Sequence, residues 1–176
     1  IWADDFHLYR RGFAVAPNNA VPKLDLAIVL MQDRNDAPRA TELFREVLVQ
    51  APTLWEANYD LGFTYVLTGH NREGEFYLTR AIALRPQQAP QYSYRSVARF
   101  KLGDLEGAAA DARRALDLAP EGKGYHTTYG LILEQQAQLA AAAAQFRAEL
   151  QLYPDDQNAK DSLHRVEKTM NGASSK

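Results

Sequence analysis

Four prolines stand at a constant interval of 34 residues: Pro52, Pro86, Pro120 and Pro154. The chain of 176 residues holds only eight prolines, so half of them fall on one comb. A fixed period of roughly 20–50 residues marks a repeat architecture, and it constrains the fold more than any local motif can. Proline cannot continue a helix, and it keeps the residue before it out of the α region. Each repeat is therefore expected to end its last helix at the same place.

Aligned on these prolines, the segments agree at further places. The eighth place holds Ile28, Gly62, Ser96 and Gly130, and the twentieth holds Ala40, Gly74, Ala108 and Ala142. Small residues twelve apart let two antiparallel helices approach closely. Larger side chains at the twenty-fourth place, Phe44, Leu78 and Phe146, fill the space around that contact. The spacing predicts helix pairs over 22–32 and 38–50, 55–68 and 72–84, 90–102 and 105–118, and 125–136 and 139–152. One further amphipathic helix is expected after Pro154, capped by Asp155 or Asp156, carrying Ala159, Leu163, Val166 and Met170 on one face and stopped by Asn171-Gly172.

This pattern resembles the tetratricopeptide repeat. Leu61, Gly62, Tyr65, Gly69, Gly74, Ala81 and Pro86 stand where that motif has its signature residues. The resemblance implies an all-α, right-handed superhelical solenoid of antiparallel helix pairs. Its expected divisions are repeats at 21–54, 55–88, 89–122 and 123–156, and a C-terminal capping helix at 157–172. Residues 173–176 are expected to form a disordered tail. Residues 1–20, with Phe6, Tyr9 and Phe13 at helical spacing, read either as the end of a truncated preceding repeat or as an N-terminal cap.

The composition narrows the function. A net charge of −2 and an isoelectric point near 6.1 argue against a nucleic-acid surface. No apolar run approaches the ~20 residues that span a bilayer, so this segment is not expected to insert directly into a membrane. With no cysteine, thiolate metal sites and cysteine nucleophiles are excluded. His7, His70, His126 and His164 form no His-x-x-x-His pair, and neither a phosphate-binding glycine loop nor a Gly-x-Ser-x-Gly elbow occurs. Neither enzyme activity nor a cofactor or metal is expected.

The resemblance further implies that the first helix of each pair lines a concave groove, through the second, fifth, sixth, ninth, twelfth and thirteenth places. The groove residues so implied are Asp25, Val29, Tyr59, Phe63, Val66, Leu67, Tyr94, Val97, Phe100, Lys101, Thr127 and Leu131, with Asp60 among their neighbours. The basic clamp of chaperone-docking members and the asparagine ladder of sugar-transferring members are both absent from these places. What remains suits a protein or peptide partner with apolar anchors, and an exposed end repeat offers a surface for stacking on a second copy. The bland alternative is that Tyr59, Phe63, Val66 and Phe100 pack internally.

A second reading rests on the N-terminus. Trp2-x-Asp4-Asp5-x-x-Leu8-Tyr9 and the following Ala-Pro-Asn resemble the start of the repeat region in multi-spanning glycosyltransferases, which implies an accessory extracytoplasmic domain. The opening Ile1-Trp2 reads as part of a longer chain. The composition itself suits either the cytoplasm or an extracytoplasmic compartment.

Overall fold

The computed structural model describes residues 20–32 and 36–173. Nine helices and no strand occur among them: α1 Ala20–Gln32, α2 Ala37–Gln50, α3 Trp55–Leu67, α4 Asn71–Leu84, α5 Ala89–Leu102, α6 Leu105–Leu118, α7 Tyr125–Gln135, α8 Leu139–Leu152 and α9 Gln157–Ala173. The segment expected to form the N-terminal helix, the Trp2–Tyr9 motif and the tail from residue 174 lie outside the described residues.

Helix starts follow from local chemistry. Asp36 accepts from the Arg39 backbone N–H at 3.3 Å, with Pro38 in the first turn of α2. Asp104 accepts from Gly107 N–H at 2.9 Å, and Asp156, one of the two expected caps, accepts from Ala159 N–H at 2.8 Å. Each of these bonds satisfies a backbone donor that the helix itself leaves unpaired. The start of α7 is built differently. Gly124 sits in the left-handed region and offers no side-chain cap. Buried Glu149 on α8 supplies it instead, its carboxylate accepting from Gly124 N–H at 2.7 Å and Thr127 N–H at 3.4 Å. A carboxylate at a helix N-terminus also meets the positive end of the dipole. This explains an acid at a place where the other repeats have Val47, Ala81 and Ala115.

The chain forms two compact units divided after Pro86. In the first, α1 pairs with α2 and α3 with α4, while α3 also packs on α1 and α2. Its core joins Leu26, Ala27 and Leu30 of α1, Ala40 and Phe44 of α2, and Leu61 and Tyr65 of α3. The α3–α4 contact is very close. A Cβ on Gly62 would lie 2.8 Å from Leu78 Cγ and 2.9 Å from Leu78 N, and one on Gly74 would lie 2.7 Å from Val66 Cγ2.

In the second unit, α5 pairs with α6 and α7 with α8, and α9 closes on α8. One core cluster gathers Ala108, Ala112 and Ile132. Another gathers Leu133, Ala142, Ala143, Phe146 and Val166. Arg165 of α9 grips Glu134 of α7 with two bonds of 2.7 Å, which raises the guanidinium pKa further. One expectation about α9 fails: Asn171-Gly172 does not stop it, and the helix runs to Ala173. A glycine inside a helix costs only about 1 kcal/mol, and Met170 still packs on the core beside it.

Candidate interaction faces

Helix α3 is enclosed on almost every side. Apart from Trp55 at its start, its residues that are not buried are Glu56, Tyr59, Asp60, Phe63 and Leu67. At 3.6 residues per turn these five fall within an arc of about 100°. Tyr59 and Phe63, one turn apart, stack with ring centroids 6.2 Å apart and planes inclined by 13°. Leu67, one turn further, is 58% exposed. The same unit carries Asp25 and Val29 one turn apart on α1, both half-buried.

The arc is also acidic. Glu56 and Asp60 are one turn apart, and α3 contains no basic residue. Lys23 is the sole cation on α1, and it is buried against Glu46 of α2 at 2.6 Å. Burial, with the nearby Glu56 charge adding to it, pushes the Asp60 carboxyl up to about 7. Glu56 Oε2 is out of solvent and has no hydrogen-bond partner among the described residues.

In the second unit, Tyr94 and Val97 of α5 are half-buried and Lys101 is exposed, at helical spacing along one row. Burial raises the Tyr94 hydroxyl pKa. The Tyr125 hydroxyl pKa is raised by burial and then by the nearby Tyr94 hydroxyl.

Two of the implied groove residues, Val66 and Thr127, are buried, and Phe100 and Leu131 are half-buried beside core clusters. Val66, 9% exposed, turns onto Gly74 in the α3–α4 contact. Thr127, 7% exposed, lies in the first turn of α7 beside the Glu149 cap. Phe100 packs on the Ala108–Ala112–Ile132 cluster, with Lys101 Nζ 5.8 Å from its ring centroid, and Leu131 packs on the Phe146 cluster. Val66 is taken into the pair contact because Gly74 leaves room for it. Asp25, Val29, Tyr59, Phe63, Leu67, Tyr94, Val97 and Lys101 are likewise half-buried or exposed.

Glu56 was missing from the implied groove residues, although it occupies the second place of its repeat, four residues before Asp60. Arg95 and Arg99 lie four residues apart on one face of α5 and cannot pair with each other, so their spacing calls for carboxylates such as Asp60 or Asp111. Asp111 of α6 receives both: two bonds of 2.7 Å from Arg95 and one of 3.0 Å from Arg99. No group of three or more His, Cys, Asp or Glu able to hold a metal occurs among the described residues, and no described helix is long and apolar enough to cross a membrane.

Known proteins supply a frame for this arrangement. The tetratricopeptide repeat family model matches residues 56–88. Protein SGT1 homolog from Bos taurus is 28% identical over 96 residues, or 54% of this chain, which spans only 28% of that curated relative. MamA (41-end) from Desulfovibrio magneticus RS-1 superposes with a TM-score of 0.80 at 22% identity, covering 89% of this chain and 88% of the other. YrrB, described as a TPR protein with an unusual peptide-binding site, does so with a TM-score of 0.76 at 18% identity, covering 93% and 84%. Residues 56–88 are thus a tetratricopeptide repeat, and the chain around them has the all-α fold of tetratricopeptide-repeat proteins.

Proposed function

We propose that the chain is a non-catalytic protein-interaction scaffold that takes a partner peptide or helix against the accessible faces of its first helices. In this reading the repeats at 21–54, 55–88, 89–122 and 123–156 each contribute one such helix. The observation that carries it is the narrow arc on α3. A helix buried everywhere else leaves two stacked aromatics and an exposed leucine along one row. Large side chains in such a row act as anchors, and fully burying one contributes about 1.5–3 kcal/mol. YrrB, which has the same fold, is described by its peptide-binding site, and this supports a peptide as the occupant.

Site-specific photo-crosslinking tests the proposal. Benzoylphenylalanine is placed at Leu67 on the arc, or at Val49, which is 84% exposed on α2. Each version is irradiated in extract of the native host. A partner crosslinked through position 67 and not through 49, and lost when Phe63 is replaced by Asp in a folded variant, is the expected result. Equal labelling from both positions would place the interaction elsewhere. A crosslink to a second copy of the chain would identify self-association instead.

A further inference from the structure

Asn171-Gly172 reads as a helix stop, yet it lies inside the last turn of α9. It is the only Asn-Gly pair in the chain, which has no Asp-Gly. Both residues are exposed, and a Cβ built on Gly172 would meet nothing within 4 Å. Met170, the residue before the pair, packs on the Phe146 cluster and so ties this turn to the core of the second unit. The other described asparagines are set differently. Asn58 is buried, donates to the Pro52 and Leu54 carbonyls at 3.1 and 2.8 Å, and is followed by Tyr59. Asn71 and Asn158 lie in first turns and are followed by Arg72 and Ala159.

An asparagine followed by glycine is open to attack by its own backbone. The Gly172 nitrogen, losing its proton to solvent, attacks Cγ of the Asn171 carboxamide. A C–N bond forms, the carboxamide nitrogen leaves as ammonia, and a cyclic succinimide results. Water opens that ring at either carbonyl, leaving aspartate or isoaspartate. A water is consumed, an ammonia is lost, and nothing is oxidised or reduced. Glycine permits the attack because it has no Cβ to crowd the nitrogen and adopts unusual dihedrals at little steric cost. The helix opposes it, since each helical N–H donates four residues back, which for Gly172 is the Lys168 carbonyl. Helix ends fray, however, and glycine is a poor helix former, so this turn opens from time to time.

We propose that Asn171 is a site of spontaneous deamidation gated by the last turn of α9. While the turn is formed, the Gly172 nitrogen is held away from Cγ; when the turn opens, the succinimide forms. Either product then puts a carboxylate beside the negative end of the helix dipole, and isoaspartate also lengthens the backbone by a methylene. Both changes oppose re-forming the turn and loosen Met170 from the core. Deamidation thus makes a reversible opening permanent.

Wild type and Met170→Ala, each checked for folding by circular dichroism, are incubated at neutral pH with and without guanidinium chloride. Trypsin then releases the segment after Lys168. Mass spectrometry follows the amide-to-acid mass shift, and labelling by isoaspartyl methyltransferase reports isoaspartate. In the folded chain Asn171 is expected to convert ahead of Asn58, Asn71 and Asn158. It should do so at least about tenfold more slowly than in denaturant. Met170→Ala should narrow that gap and leave the rate in denaturant unchanged. Converted wild-type protein should exchange the amide hydrogens at the end of α9 faster than fresh protein. Equal rates with and without denaturant would overturn the gate. An Asn171 that stays intact in the folded chain while the unfolded chain converts fully would remove the site altogether. Hydrogen exchange unchanged by conversion would rule out the loosening of α9. If Met170→Ala does not fold, the wild-type ratio alone decides.

Discussion

Asp60 and Asp111 are both acids on the walls of helix pairs, yet they have opposite environments. Asp111 is held by Arg95 and Arg99, whereas Asp60 is withdrawn from water with the Glu56 charge nearby. The consequence for stability is specific in sign. Folding raises the Asp60 carboxyl from 3.8 to about 7, so its contribution is fully present below about pH 4 and is lost as pH rises through 7. Asp60→Asn removes the ionising group. It should match wild type in urea unfolding near pH 3.5 and exceed it by about 1–3 kcal/mol at pH 8. A constant difference across that range would mean that Asp60 does not titrate on folding. The pairing of Asp111 was only half legible in the sequence. The arginines announced a need for a carboxylate, but residue spacing along the chain could not choose between two acids on different helices.

At the scale of elements, what the sequence showed best was where helices run and where they touch. The expected pairs and the observed helices differ at their ends by a residue or two, because prolines, capping acids and the apolar period act locally. The α3–α4 contact tests the role of the small places. Gly62→Ala would drive a Cβ against the Leu78 backbone nitrogen, which has no rotamer to escape into. A loss of about 1–3 kcal/mol is expected, measured by thermal or urea unfolding. Gly172→Ala in α9 meets nothing within 4 Å, and should gain about 0.5–1 kcal/mol through helix propensity alone. Equal effects at the two sites would show that the close approach is not what requires glycine at position 62.

At the scale of the molecule, the second unit is closed at its end by α9, which packs on α8 and α7. Removal of residues 157–176 would uncover Phe146, Leu133 and Ala143, which Val166 covers, and would release Glu134 from Arg165. Hydrogen exchange should then speed up through α7 and α8 while α1–α4 keep their protection. Uniform loss of protection would instead show one cooperative unit. The sequence by itself determined the fold class, the period and the contacts between small residues, since these rest on stops and side-chain sizes that recur every 34 residues. Only the tertiary structure decided which side chains of the implied groove stay accessible. Val66 and Phe100 look like groove residues by their place in the repeat. Whether they face solvent depends on the gap left by Gly74 or by the alanines of α6, which lie on the partner helix and meet them only once the pair has closed.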